Sequence, residues 1–174
     1  MVGKERAESS APARICLGGE SLDWMIDGPS VVGAITLKTT AYVEHLPTVG
    51  KHYIVFLRSK TPIPSETLRS WNDVYWYTDP YLNYVESAVD VVRGHIEEPC
   101  SFAVSIESDI PVKAGVSSSA AVTLATTAAT AIFFGLKPSV VDICEMAFEV
   151  EHDKLRTGAG RMDFYACGMC GLLY

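Results

Sequence analysis

The chain has 174 residues, 48% of them hydrophobic and 20% charged, a balance that excludes a disordered or collagen-like polymer. Its 14 basic and 21 acidic residues leave a net charge of −7. That excludes a nucleic-acid backbone as the main partner, because such binding is largely electrostatic, but it leaves room for a nucleotide at a local phosphate site. No stretch reaches the roughly 18 apolar residues of a membrane span. The first ten residues, MVGKERAESS, lack the apolar run of a signal peptide. A cytoplasmic protein without membrane or nucleic-acid partners is expected, and its five cysteines read as reduced thiols.

In chain order, residues 1–10 are expected to be a flexible arm and residues 11–174 one domain. Ala13 to Leu17 is β-prone and meets Gly18-Gly19, so a strand ends in a loop there. Val31 to Glu44 and His52 to Leu57 read as further strands of a meander that exits at the Pro-rich segment Thr61 to Pro64. Residues 71–81 hold two Trp and three Tyr around an Asp-Pro break, a loop or helix start. Leu82, Val85, Val89 and Val92 share one helical stripe over 81–92. Ser101 to Ile106 is a strand. A small-residue helix follows the serine run and ends at Gly135. Ser139 and Asp142 form a capping box opening a helix to about Leu155. The tail is Gly-rich from Gly158 and then weakly helical. Strands followed mostly by helices predict an α+β fold.

Chemistry concentrates in a few places. In Ala114-Gly115-Val116-Ser117-Ser118-Ser119, a glycine and three serines open a helix. Orphan backbone N–H groups and the helix dipole stabilise phosphate there; the same pattern also serves as a serine-rich cap without a ligand. No Walker loop occurs in the chain. Glu151 continues the apolar stripe Val140, Cys144, Ala147 and Phe148. It is either an inward carboxylate that needs a cation or a helix-end residue reaching solvent. Asp163 follows the Gly158-Ala159-Gly160 turn and suits a base, a metal ligand or an N-cap; Arg161 beside it suits a structural partner or a phosphate contact. Cys167 and Cys170 form a CxxC without the further ligands of a zinc site, so they read as structural thiols. The first loop carries Arg14, Glu20, Ser21 and Asp23; Glu20 and Asp23 could chelate sugar hydroxyls or simply face solvent.

Four blocks together resemble the GHMP small-molecule kinases, and among them galactokinase. IPVKAGVSSSAA is similar to the family's phosphate loop, APARICLGGESLDW to the galactokinase opening signature, and YLNYVESAV to its Asn-Tyr-Val helix. EHDKLRTGAGRMDFYA is similar to the segment carrying a metal-binding Glu and a Met-Asp. The resemblance implies a ribosomal-protein-S5-like α+β domain, a mixed sheet with helices packed on one side, and an ATP- and Mg²⁺-dependent sugar 1-kinase. It implies that Lys113 to Ser119 cradle ATP, that Ser119 and Glu151 hold Mg²⁺, and that Asp163 is the base. It further implies that Arg14 stabilises the transferred phosphoryl group and that Glu20, Ser21 and Asp23 bind the sugar. Ser21 and Leu22 depart from the galactokinase His and Thr, Cys16 from an Asn, Phe164 from a Gln and Lys113 from a common Gly. The family's C-terminal domain is absent from this chain, so a C-terminal domain, a second chain or self-association is expected to cover the apolar tail Gly171 to Tyr174. A mevalonate- or heptose-type kinase and a non-catalytic sugar- or nucleotide-binding relative are the alternatives.

Overall fold

The computed structural model describes residues 5–20, 22–26, 28–48, 53–72 and 82–174, apart from the side chains of Asp23 and Trp24. Strand β1 spans Arg6–Gly18, β2 Val31–His45, β3 Ile54–Ser59, β4 Ser65–Ser70, β5 Phe102–Ser108 and β6 Leu172–Leu173. Helix α1 covers Leu22–Met25, α2 Asn83–Arg93, α3 Ser118–Phe133, α4 Val140–Glu149 and α5 Met162–Met169, with a π-helical turn at Val150–Lys154. The sheet order is β1-β2-β5-β3-β4, with β6 also pairing β2. Among the described residues only the β3–β5 pair is parallel, so the sheet is mixed and the fold is α+β, as the strand-then-helix order predicts. None of the described helices is long and apolar enough to cross a membrane.

The hydrophobic pattern explains the layering. In β5 nearly every residue is buried, as a central strand covered on both faces requires. Helix α3 is rich in Ala and Thr, which keeps it thin enough to pack closely on β1, β2 and α2. At its C-terminal end Trp71, Phe102, Phe133 and Phe134 form an aromatic cluster, with ring centroids 5.1 Å apart for Phe133 and Phe134 and 6.1 Å for Trp71 and Phe102. Burying each such ring contributes about 2–3 kcal/mol. The Ser139 capping box forms as the sequence predicts: its hydroxyl accepts from the Asp142 N–H at 3.2 Å, and the Ser139 N–H donates to the Asp142 carboxylate at 2.8 Å.

Two sequence expectations need correction. Residues 6–10 are not a flexible arm but the start of β1, paired with Thr40 to Glu44 of β2. Ala7 and Ala11 point into the core while Arg6, Glu8 and Ser10 stay outside, an alternation weakened by the small size of alanine. The segment after Thr61 to Pro64 also forms β4, which pairs with β3. Of the aromatic stretch 71–81, residues 73–81 lie outside the described residues.

Three local features aim side chains at one place. The β1–β2 pairing shifts between Pro12 and Arg14. At this irregularity the neighbours Ala13 and Arg14 are both buried, whereas elsewhere in β1 no two adjacent residues are buried. Helix α3 begins on the loop after β5, so its N-terminus sits beside the end of β1. Glu151, in the π-helical turn after α4, points inward and is 3% exposed, in line with the buried Cys144 and Ala147 of α4. Val140, placed on the same apolar stripe by spacing, is exposed instead.

Candidate active site

The loop before α3 turns through three left-handed residues, Lys113, Gly115 and Ser117, with φ of 59°, 74° and 60°. This brings Ser117, Ser118 and Ser119 to the helix start, where the first N–H groups have no partner within the helix. The Ser117 hydroxyl is buried and has no hydrogen-bond partner among the described residues. A buried hydroxyl left unsatisfied at a helix N-terminus suits an anion's oxygen atoms. Lys113, Gly115 and all three serines line one cleft of about 530 Å³ together with Arg14, Glu20 and Asp163. Ala114 does not line it, and Val116 packs against the core instead.

Arg14 and Asp163, 149 residues apart in sequence, meet in this cleft. Arg14 Nε donates to Asp163 Oδ1 at 2.7 Å, and Nη2 lies 2.6 Å from the same oxygen. Arg14 Nη1 also donates to the Gly115 carbonyl at 2.8 Å. Asp163 sits in the first turn of α5 rather than at its N-cap, with a side chain 29% exposed. It is therefore tethered and still accessible to a ligand.

Glu151 lies against α3. Thr123 Oγ1 is 3.5 Å from Glu151 Oε1 and donates to the Ser119 carbonyl at 2.9 Å. Burial pushes the Glu151 carboxyl up to about 7. The negative charge of Asp163 adds to that rise, while hydrogen bonds from Ser119 and Thr123 oppose it. Tyr84, also on the cleft wall, is raised by burial and by the charge of Glu151. A buried carboxylate beside a serine hydroxyl at a helix N-terminus is a fit donor pair for Mg²⁺, an ion that usually keeps several waters and substrate phosphates as its remaining ligands. No group of three or more His, Cys, Asp or Glu among the described residues forms a protein-only metal cage.

The remaining sequence candidates fall as follows. Glu20 is exposed at the cleft wall, whereas Ser21 and the side chain of Asp23 lie outside the described residues. Arg161 turns away from the cleft: its Nε and Nη2 both donate to Glu145, and its guanidinium lies 4.0 Å from the centroid of the Phe148 ring. Cys167 is buried, Cys170 is exposed and both are free thiols. The sequence reading missed apolar residues of the cleft lining, among them Pro62, Ile63, Ile110 and Val112. These residues come from two loops and carry no pattern of their own; only topology brings them together.

Residues 83–171 match the model of the GHMP kinases N terminal domain. The chain belongs to the GHMP kinase family. It is 34% identical to a mevalonate kinase of Thermococcus sibiricus over 151 residues, which cover 84% of this chain and 44% of that protein. A galactokinase of Thermosipho africanus is 32% identical over 91 residues, covering 51% of this chain and 25% of that one. The solved mevalonate kinase of Methanococcus jannaschii superposes with a TM-score of 0.82 at 20% identity, over 95% of this chain and 52% of that one, which supports the fold. This GHMP kinase chain thus spans about half the length of the mevalonate kinases it matches. A galactokinase of Clostridium beijerinckii is 27% identical over 161 residues, covering 91% of this chain and 40% of that protein, so both kinds of relative match most of the chain and the mevalonate kinases do so at the higher identity.

Proposed function

We propose that this chain is the ATP-binding part of a Mg²⁺-dependent kinase that phosphorylates a hydroxyl of a small acceptor, of the mevalonate-kinase type. One observation carries the reading. A tethered carboxylate, Asp163, and a helix N-terminus with a buried unpartnered serine hydroxyl face the same cleft, with the Ser119–Glu151 pair beside them. Phosphoryl transfer asks for positioning, electrostatic stabilisation and a base rather than a protein nucleophile. The α3 N-terminus and the loop from Lys113 to Ser119 hold the triphosphate. Asp163 takes the proton of the acceptor hydroxyl as its oxygen bonds to the γ-phosphorus. The bond to the β-phosphate oxygen breaks and ADP leaves. Ser119 and Glu151 would hold Mg²⁺, which would supply positive charge against the phosphates. The apolar residues in the cleft lining, Ile110 and Val112 among them, suit a nucleobase.

The acceptor reading leans on the mevalonate kinase likeness. Glu20 on the cleft wall favours a second acceptor class, a sugar, whose hydroxyls donate to a carboxylate. A partner surface at the tail is part of the same proposal, since Leu172 and Tyr174 are 69% and 92% exposed. Transfer of labelled phosphate from ATP to mevalonate and to galactose separates the acceptors. Turnover of mevalonate alone is expected. Turnover of galactose alone overturns the acceptor assignment, and no binding of Mg·ADP overturns the whole reading.

A further inference from the structure

We propose that Arg14 is a positioning residue that braces the phosphate loop against Asp163, so that the loop keeps its nucleotide-binding shape through Arg14 independently of the Asp163 charge. This rests on the site reading above and assigns Arg14 a different task from direct contact with the transferred phosphoryl group. Lys113 and Ser117 hold left-handed conformations that non-glycine residues adopt only when the surroundings impose them. At Gly115, between them, packing does not hold the backbone, because a Cβ built there would meet nothing within 4 Å. Arg14 supplies two tethers instead. Its Nη1 donates to the Gly115 carbonyl at 2.8 Å, and its main-chain N–H donates to the Val116 carbonyl at 3.2 Å. The opposite edge of the same guanidinium holds Asp163. The side chain is only 7% exposed, so it offers phosphate little surface. The shift in β1–β2 pairing that buries Arg14 beside Ala13 sets this geometry. A planar guanidinium spans the two partners, whereas a single ammonium cannot satisfy both in the same way.

The test is calorimetric titration of Mg·ADP into wild type, Arg14→Ala, Arg14→Lys and Asp163→Ala, with amide exchange followed across residues 113–119. Losing the brace is expected to weaken Mg·ADP about tenfold, the size of one lost hydrogen bond, and to speed exchange in the loop. Asp163→Ala is expected to stay within about twofold of wild type, because the loop tethers remain. Added guanidinium is expected to restore binding to Arg14→Ala, and added ammonium is not; this distinguishes a brace from general loss of structure. If Arg14→Ala does not fold, Arg14→Lys carries the test, since it keeps a positive charge near Asp163 without the fork. Equal Mg·ADP affinity in the Arg14 and Asp163 variants, or wild-type affinity in Arg14→Lys, overturns the proposal. If wild type binds no Mg·ADP, the site reading fails. The brace then stands or falls on exchange in the loop: faster in the Arg14 variants supports it, unchanged overturns it.

Discussion

Glu151→Gln isolates the energetic consequence of burying a carboxylate without its cation. Burial raises the Glu151 carboxyl from its ordinary 4.5 to about 7. A folded-state value above the unfolded one means that the folded chain holds the proton more tightly. The associated stability is therefore fully present below about pH 4.5 and is lost as pH rises through about 7. At about 1.4 kcal/mol per unit, a shift of some 2.5 units corresponds to roughly 3 kcal/mol. Glutamine keeps the shape and cannot ionise. In metal-free buffer, the stability of Glu151→Gln relative to wild type is expected to rise by roughly 3 kcal/mol between about pH 4.5 and about pH 8.5. Urea denaturation of both proteins across that range measures it, and taking the difference removes every other titrating group. A difference that stays flat with pH refutes the claim that Glu151 is held in a desolvated site, and a difference that falls with pH reverses the sign of the argument.

Ser119→Ala removes a hydroxyl at the start of α3 and is expected to weaken Mg·ADP binding about tenfold or more while leaving the fold intact; equal affinity by calorimetry contradicts its assignment as a metal ligand. Ser139→Ala removes the cap of α4 and is expected to cost about 1 kcal/mol of stability, with nucleotide affinity unchanged. Gly168→Ala places a Cβ 2.5 Å from the Cys144 sulfur, and overpacking of that kind costs about 1–3 kcal/mol. The double variant with Cys144→Ala is expected to recover much of that loss in thermal denaturation, and no recovery contradicts the contact.

Much of the fold was legible because its elements carry strong local signals. Val31 to Glu44 alternates, Val85 to Val92 follows a helical stripe, and Ser139 with Asp142 caps a helix. The early part of β1 and all of β4 were not legible. In β1 the inward residues are alanines, too small to announce a core face. In β4 the sequence SETLRS leaves every second residue exposed, and Leu68 is itself exposed. Candidate site residues were legible as residue types in motifs, while their relations, such as Arg14 beside Asp163, came from the family resemblance and not from the residues' own spacing. Spacing places Glu151 on the stripe of Cys144 and Ala147 and leaves open whether the helix end reaches solvent; the structure buries it. The meeting of Arg14 with Asp163 depends on a shifted strand pairing and on the packing of α5 against β1. The role of Arg161 was undecided in sequence and is settled by its pairing with Glu145.

The central claim is that Asp163 serves as the base in a cleft whose nucleotide site is built elsewhere. The direct measurement compares Asp163→Asn with wild type for Mg·ADP affinity and for phosphate transfer from ATP to mevalonate. The account predicts affinity within about twofold and turnover lower by at least about 100-fold, the contribution of a positioned base. Turnover in Asp163→Asn equal to wild type contradicts it.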